Sequence, residues 1–328
     1  MISTTIDNIR EAYKRIHPFV KHTPLIRAEG LEPLCGGATI YLKLENLQMT
    51  GSFKLRGVAN KMLSMRPEDM KHGVTTASSG NHALAVAYMS SRLGNKALAV
   101  MPENAPDTKV ESVKRYGTET VLYGLTGEDR EQKCRDLMDS YGYALIHSHT
   151  DPLVIAGHGT VIIEIAEQLN DMSFDYFDEI IVPCGAGSLA GGAALAAKHY
   201  MPKTHLTAVE PAAVPRFSQS LKAGRAMSVT MGQTLADGLR VSKAEKINYT
   251  MIRDHVDRLL VIEESPIRRA VRETALYAKV VAEPSACVGI AAALEGQINM
   301  QAGRHICFII TGGNADASTF SHILGTPY

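Results

Sequence analysis

The stretch EIIVPCGAGSLAGGAALAAKHY, residues 179–200, decides the fold class. It begins with a short apolar run typical of a buried β-strand, passes through a glycine-rich turn, and continues as an alanine-rich run typical of a helix. Other β-type runs, such as TIYLKLE, GVTTA and HICFII, alternate with helical patterns along the chain. This alternation predicts an α/β fold with mainly parallel twisted sheets flanked by helices.

The length of the chain favours two lobes rather than one small domain. With 328 residues it exceeds the usual domain size of roughly 100–200 residues. No internal repeat, low-complexity tract or Pro/Ser-rich linker divides it. The strand and helix patterns of residues 50–149 form a self-sufficient set, so we predict that they make a small domain inserted in a large one. The large domain then comprises residues 1–49 and 150–328.

The composition indicates a globular protein that acts on small molecules. The 34 basic and 34 acidic residues balance and are intermixed, so no basic surface predicts binding to nucleic acid or to an anionic membrane. The five cysteines never form a C-x-x-C pair. The chain also lacks a signal-peptide pattern and any apolar run of about 18 residues. These features predict a cytoplasmic protein.

Four junctions between a β-type run and a helical pattern are candidate binding loops, because ligands of open α/β sheets bind beyond the carboxyl ends of the strands. Glycines in residues 184–192 let backbone N–H groups approach an anion, and the helix N-terminus adds partial positive charge, so a phosphate fits there. Close packing of helix on sheet would explain the same glycines. The spacing matches neither a Walker loop nor a dinucleotide turn. The four junctions are TGSFK (50–54), SSGNHA (78–83), CGAGSLAGG (184–192) and TGGNAD (311–316).

Two of these junctions have both a binding interpretation and a local structural one. The hydroxyls, amide and imidazole of residues 78–83 suit a carboxylate, whereas Ser79 or Asn81 acting as a helix N-cap is the alternative. The Thr311 hydroxyl could pair with a ring nitrogen, whereas a turn in which residues 312–314 supply positive φ is the alternative.

Lys54 follows a phenylalanine in TGSFKLRG, residues 50–57, and begins a helical pattern. Most lysines are solvated, and an isolated one is rarely a nucleophile. A pocket that lowers its pKa makes the amine reactive toward carbonyls, as in the Schiff-base chemistry of pyridoxal phosphate. A carbonyl cofactor that carries a phosphate would use all four junctions at once.

Nine ordered motifs span nearly the whole chain and resemble the fold-type II pyridoxal-phosphate enzymes, in particular the threonine/serine dehydratase and serine racemase family. They are KLENLQMTGSFKLRG, SSGNHALA, MPENAPDTKVESVKRYG, IAGHGT, VPCGAGSLAGG, VEP, LADGL, VAEPSACVGIAAAL and ITGGN. The resemblance implies that pyridoxal 5'-phosphate is the cofactor, that the large domain binds it, and that the protein is a homodimer.

The resemblance also assigns roles around the cofactor. It implies that Lys54 carries the cofactor covalently, while Phe53 lies against the pyridine ring. We predict that the Lys54 amine also removes the Cα proton of the substrate. Asn81 matches the partner of the ring hydroxyl, and Thr311 matches the partner of the pyridine nitrogen. The phosphate cradle of the family corresponds to Gly185, Ala186, Gly187, Ser188 and Leu189.

Thr311 indicates the reaction, and Ser79 and His149 indicate two alternatives. A neutral hydroxyl cannot keep the pyridine nitrogen protonated, so the ring is a weaker electron sink and loss of a β-substituent is favoured. We therefore predict an L-threonine/L-serine dehydratase that yields 2-oxobutyrate or pyruvate and ammonia. Ser79 stands where the racemases place their second acid–base, so serine racemase is one alternative. His149 could accept an acidic β-group, so threo-3-hydroxyaspartate dehydratase is another.

The remaining assignments concern the substrate and the cofactor ring. Arg130 aligns with a carboxylate-binding arginine of the racemases. For His147 and His149, metal binding or a solvated loop are alternatives to a place in the site. Glu283 matches a glutamate near the cofactor ring, and a carboxylate favoured by a helix start is the alternative. The predicted substrate-binding residues are Ser78, Ser79, Asn81, His82, Arg130 and His149.

A cation site is the least complete part of the resemblance. Glu210 matches a divalent-cation ligand of the racemase-like members, which have an acidic residue six positions later. This chain has Arg216 there, and a hard cation loses much of its coordination without the second carboxylate. A structural role for Glu210, or a monovalent cation held by carbonyls, are the alternatives.

Overall fold

The computed structural model describes residues 4–78 and 80–325. The strands are β1 Leu25–Arg27, β2 Thr39–Leu44, β3 Val74–Ala77, β4 Ala97–Met101, β5 Glu119–Leu122, β6 Ala144–Leu145, β7 Glu179–Pro183, β8 His205–Pro211, β9 Arg258–Ile262 and β10 His305–Ile310. The helices are α1 Ile6–Ile16, α2 Lys54–Ser64, α3 Asn81–Leu93, α4 Asp107–Lys114, α5 Gly127–Tyr141, α6 Pro152–Leu169, α7 Ser188–Tyr200, α8 Arg216–Ala223, α9 Lys246–His255, α10 Glu264–Glu273, α11 Val288–Leu294 and α12 Ala317–Gly325.

The larger sheet has six strands in the order β1-β2-β10-β7-β8-β9. All neighbours are parallel except β1, which pairs with β2 antiparallel at one edge. Strand β10 lies inside the sheet, between β2 and β7, and all its residues but the first are buried. Its continuous apolar sequence, HICFII, suits a parallel strand that is covered on both faces.

The smaller sheet has four parallel strands in the order β5-β4-β3-β6. Its strands fall between residues 74 and 145, within the segment assigned to the small domain by sequence; the exact boundaries of that domain stay a prediction. The two sheets confirm the predicted α/β fold with mainly parallel strands. No helix in the described part of the chain has the length and apolar character needed to cross a membrane.

Helix α6 packs against both α2 and α7, the helices that begin at Lys54 and Ser188. A Cβ atom at Gly159 would lie 2.8 Å from the carbonyl oxygen of Gly192, so the backbones of α6 and α7 are in close contact there. Gly157 meets the backbone of α2 at Arg56 in the same way. Helix α6 therefore connects the two segments that the sequence assigns to the cofactor.

Candidate active site

Lys54 is the first residue of α2, and its amine is enclosed although the residue as a whole is partly accessible. Nζ donates a hydrogen bond to the carbonyl oxygen of Ser148 at 3.3 Å and lies 4.9 Å from the centre of the Phe53 ring. Burial lowers the pKa of Lys54 to about 8, and the nearby Glu283 partly opposes this. A useful fraction of the amine is therefore neutral near pH 7 and available as nucleophile or base.

The turn before Lys54 is joined directly to the loop after β10. Ser52 and Gly312 form an isolated antiparallel bridge, and the Phe53 N–H donates to the carbonyl oxygen of Thr311 at 3.0 Å. Thr311 is almost fully buried. The fold thus brings Thr311 next to Phe53 and Lys54, from which it is far apart in the sequence.

Arg56 fixes the first turn of α2 through buried ion pairs. Its guanidinium is fully buried and donates to Glu45 and to Glu164 at 2.7–2.8 Å. Lys43 Nζ donates to the same Glu164 at 2.8 Å. Burial opposes ionisation of Glu164, but Arg56 and Lys43 outweigh it and lower its pKa to about 2. This four-residue charge cluster fixes Lys54 relative to β2 and α6.

Asn81, the first residue of α3, is bonded to a buried carboxylate. Its Nδ2 donates to the two oxygens of Glu283 at 3.0 and 3.1 Å, and Asn314 Nδ2 donates to Asn81 Oδ1 at 2.8 Å. Burial raises the pKa of Glu283 to about 7, and the hydrogen bonds from Asn81 oppose the rise. Glu283 therefore changes its protonation near neutral pH.

The loop before α3 is described only in part. Ser78 Oγ accepts a hydrogen bond from the Gly80 N–H at 3.4 Å. Ser79, the predicted second acid–base, lies outside the described residues. His82, in the first turn of α3, is buried and makes a 3.0 Å hydrogen bond between Nε2 and the carbonyl oxygen of Ile146.

The predicted phosphate loop, Gly185 to Leu189, comprises the end of the turn after β7 and the first two residues of α7. Among the described residues no acceptor pairs with the backbone N–H groups of residues 185–187. Gly187 has φ +88°, and a Cβ there would lie 2.6 Å from Phe217 Cζ, so only glycine fits. Free N–H groups at the start of a helix make a cradle for a phosphate.

His158 supports this cradle from α6. Its Nδ1 lies 3.2 Å from Ser188 Oγ, and its ring packs edge-on against Phe53 at 4.7 Å between centres. Burial, with the positive charge of Lys54 nearby, holds the pKa of His158 well below its usual value, so the imidazole is neutral. Sequence reasoning assigned no role to His158, although the motif IAGHGT contains it.

His149 is linked to Lys54 by Ser148, whose carbonyl oxygen accepts the hydrogen bond from the Lys54 amine. His149 Nδ1 is 2.7 Å from Ser148 Oγ, and Asn248 Nδ2 donates to the His149 carbonyl at 3.0 Å. Burial lowers the pKa of His149 far below its usual value, and His147 and Lys54 lower it further. Burial likewise lowers the pKa of His82 to about 3, so both imidazoles are neutral, and the positive charge of Lys54 is what favours an anionic group near them.

Arg130 is not joined to the other predicted site residues. No hydrogen bond or ion pair connects it to Lys54, Asn81 or Glu283 in the part of the chain that the structure describes. It lies on α5, half-buried, and two of its nitrogens, Nε and Nη1, are buried there without a partner. Within residues 4–78 and 80–325, no cluster of three or more His, Cys, Asp or Glu side chains could hold a metal ion, so the metal alternative for His147 and His149 gains no support.

A cleft of about 340 Å³ opens beside Asn81 and Glu283. Two contacts join α4 to the other side of this cleft: Lys109 Nζ to Asp237 at 2.8 Å and Thr108 Oγ1 to Asp316 Oδ1 at 2.8 Å. The sequence does not predict either contact, because nothing in the pattern around residues 108–109 indicates that they meet Asp237 and Asp316. The cleft is lined by Gly80, Asn81, Leu84, Thr108, Lys109, Ser112, Val113, Asp237, Gly238, Glu283, Gly313, Asn314, Ala315, Asp316 and Ala317.

These residues fit pyridoxal phosphate. A lysine with a lowered pKa can bond its aldehyde, and a cradle of unpaired N–H groups can bind its phosphate. Residues 16–312 match the model of the family described as pyridoxal-phosphate dependent enzyme. The chain belongs to this family, and its cofactor is pyridoxal phosphate.

Known proteins similar to this chain are ammonia-lyases and racemases. The L-threonine ammonia-lyase of Thermotoga maritima is 35% identical over 320 residues, which cover 98% of this chain and 78% of that protein. The L-threo-3-hydroxyaspartate ammonia-lyase of Saccharomyces cerevisiae is 35% identical over 324 residues, covering 99% and 97%. Among solved structures, maize serine racemase superposes with a TM-score of 0.91 at 36% identity, covering 98% and 97%. The family and cofactor predicted from the sequence are confirmed.

Proposed function

We propose that this enzyme is an L-threonine/L-serine ammonia-lyase, which removes water from a β-hydroxy amino acid and yields 2-oxobutyrate or pyruvate with ammonia. The observation that carries the proposal is the enclosed Lys54 amine, whose pKa burial lowers to about 8. The similarity to an L-threonine ammonia-lyase over 98% of the chain supports it.

Four segments would hold the cofactor. Lys54 would bind its aldehyde carbon, Phe53 would lie against its ring, and residues 185–189 would bind its phosphate. Asn81 would bond the ring hydroxyl, with Glu283 behind it. When bound, pyridoxal phosphate supplies an electron sink for the pair released at the substrate Cα.

Lys54 is the base in this proposal. Its Nζ would take the Cα proton, and the carbonyl of Ser148 would hold the amine in place during the transfer. Thr311 would present a neutral hydroxyl to the ring nitrogen, which favours loss of the β-hydroxyl over return of a proton to Cα.

The start of α3 would bind the substrate carboxylate. Helix N-termini favour anions, and Ser78, Asn81 and His82 lie there. Ser79 is proposed for the same loop from its sequence position alone. Arg130 stays a weaker candidate because no contact joins it to this group.

Two alternative activities have a specific basis. A β-carboxylate substrate such as threo-3-hydroxyaspartate is favoured by His149, which bonds the residue whose carbonyl holds Lys54. Racemisation is favoured by Ser79, a second hydroxyl acid–base that would act on the face of Cα opposite Lys54.

One set of assays separates these activities. The purified enzyme is incubated with L-threonine, L-serine and L-threo-3-hydroxyaspartate, and 2-oxo acid and D-enantiomer are measured separately. We expect faster 2-oxo acid formation from L-threonine or L-serine than from hydroxyaspartate, and little D-serine. Equal rates of D-serine and pyruvate formation would favour the racemase.

The role of Lys54 is tested by Lys54→Ala and Lys54→Arg. We expect both to lose at least about a thousandfold in kcat, since base and cofactor link are removed together. Borohydride treatment followed by peptide mapping should label Lys54. Full activity in Lys54→Arg would contradict the proposal.

We also propose that the enzyme is a cytoplasmic homodimer, as the resemblance and the sequence suggest. Light scattering coupled to size-exclusion chromatography measures the mass of the particle against the 35.5 kDa of one chain. A monomer at working concentration would contradict the dimer.

A further inference from the structure

Arg216, the first residue of α8, is fully buried but is not held by an ion pair among the described residues. Its guanidinium instead donates to four backbone carbonyls. Nη1 lies 3.1 Å from Val214 O and 3.2 Å from Leu239 O. Nη2 lies 3.2 Å from Cys184 O and also contacts Gly185 O.

Glu210, the carboxylate whose charge acts on Arg216, is already used as a helix cap. Its two oxygens accept the N–H groups of Phe217 at 3.1 Å and Ser218 at 2.7 Å, in the first turn of α8. Its negative charge favours the positive charge of Arg216 without touching it. Converging carbonyl oxygens with one carboxylate nearby form an environment typical of a hard metal cation.

A metal ion at Glu210, as the resemblance implies, does not fit this arrangement. Both Glu210 oxygens are occupied by backbone donors, and a permanent positive charge stands where a second acidic ligand would be needed. A metal there would repel the guanidinium and compete for its carbonyls.

We propose that Arg216 is a built-in cation that replaces a bound metal ion and holds the phosphate loop in its binding conformation, so that cofactor binding needs no metal. Arg216 is a positioning residue in this proposal. It connects the phosphate loop to two other segments, at Val214 and at Leu239.

Peptide geometry explains how Arg216 acts on the loop. In a trans peptide the C=O and the following N–H point in opposite directions. The Cys184 and Gly185 carbonyls point at Arg216, so the N–H groups of Gly185 and Ala186 point away from it. These N–H groups belong to the cradle described above, and the guanidinium therefore fixes their orientation.

The first test measures cofactor affinity. Wild-type holoenzyme should keep its pyridoxal phosphate after EDTA treatment and after exchange of potassium, sodium and magnesium for tetramethylammonium. Arg216→Ala should bind the cofactor at least about tenfold more weakly, and low millimolar guanidinium chloride should restore most of this loss. Arg225→Ala, a change at an exposed arginine beyond the same helix, should alter neither property.

The second test replaces the arginine cation by a site for a metal ion. Arg216→Asp places a second carboxylate six residues after Glu210, and we expect its cofactor affinity to rise at least about tenfold on addition of magnesium. Wild type should show no such response. Thermal melting and circular dichroism of each variant confirm that it is folded.

Four results would overturn the proposal. They are loss of cofactor from wild type when cations are removed, unchanged affinity in folded Arg216→Ala, a loss in that variant that guanidinium does not restore, and an affinity of Arg216→Asp that magnesium does not raise. If Arg216→Ala does not fold, the cation test on wild type and the magnesium response of Arg216→Asp decide. All of these readouts concern cofactor binding, so they stand even if the enzyme does not act on threonine or serine.

Discussion

Two fully buried arginines lie next to the cofactor site, and they are stabilised in different ways. Arg56, two residues after Lys54, donates to the carboxylates of Glu45 and Glu164. Arg216 donates to carbonyls, two of them in and just before the phosphate loop. Carboxylate charges stabilise the guanidinium of Arg56, whereas carbonyl dipoles stabilise that of Arg216.

The difference teaches what each arginine contributes. Arg56, Lys43, Glu45 and Glu164 carry two positive and two negative charges, so losing any one leaves an uncompensated charge in the interior. Losing Arg216 leaves mainly carbonyls without donors, and orphaned dipoles cost less than orphaned charges. The first cluster should therefore govern folding, and Arg216 should govern the shape of one loop.

The largest effect is expected from breaking the Arg56 cluster with Glu164→Gln. The change leaves Arg56 and Lys43 with a single carboxylate, and we expect the free energy of unfolding to fall by about 3–5 kcal/mol. Urea titration measures it. The control is Glu167→Gln, three residues further along α6, where the side chain is half exposed and the loss should be about 1 kcal/mol or less. Equal losses in the two variants would contradict the distinction.

A smaller effect on stability is expected from Arg216→Met. The free energy of unfolding should fall by about 1–3 kcal/mol, because the four carbonyls lose their donor but only Glu210 loses a charge partner. Arg56→Met, measured in the same urea titration, should lose more. A greater loss of stability in Arg216→Met than in Arg56→Met would reverse our comparison.

A dependence on pH is expected at Glu283, a buried carboxylate that is held by the Asn81 amide rather than by a cation. Its pKa is raised from 4.5 to about 7, mainly by burial. The folded state therefore binds the extra proton between these values, and this residue makes stability decline as pH rises from 4.5 to 7. Glu283→Gln should remove that decline.

The cation-paired Glu164 should behave in the opposite way. Its pKa is lowered from 4.5 to about 2, so its contribution to stability is complete above pH 4.5 and is lost as pH falls toward 2. Unfolding free energies measured across the pH range in wild type, Glu283→Gln and Glu164→Gln check both signs. If the free energy of unfolding of Glu283→Gln falls between pH 4.5 and 7 as steeply as that of wild type, groups other than Glu283 cause the decline.

The sequence predicts those parts of the site that are local patterns. A strand, a glycine turn and a helix follow one another in residues 179–200, so the phosphate loop is recognisable without the fold. Lys54 and Thr311 are recognisable in the same way, as residues at strand-to-helix junctions, and hydrogen bonds from Phe53 to Thr311, from Gly313 to Gly51 and from Asn314 to Thr50 join their loops.

The rest depends on contacts between residues that are distant in the chain. Lys43 meets Glu164 across 121 positions and Arg56 meets Glu164 across 108, and neither pair has a sequence signature. The Arg216 carbonyls are backbone atoms, which any residue type could supply. Sequence comparison therefore showed that a second acidic residue was missing but not what the arginine in its place contacts.

The close backbone contact of α6 with α2 and α7 has a consequence for coenzyme selection. A side chain at Gly157 or Gly159 would clash with the backbone of α2 or α7, so any larger residue there would push that helix away from α6. Helix α6 thus sets the spacing between the first turn of α2, which carries Lys54, and the start of α7, which forms part of the anion cradle. We therefore expect an aldehyde whose phosphate lies nearer to or farther from its carbonyl carbon to bind more weakly than pyridoxal phosphate.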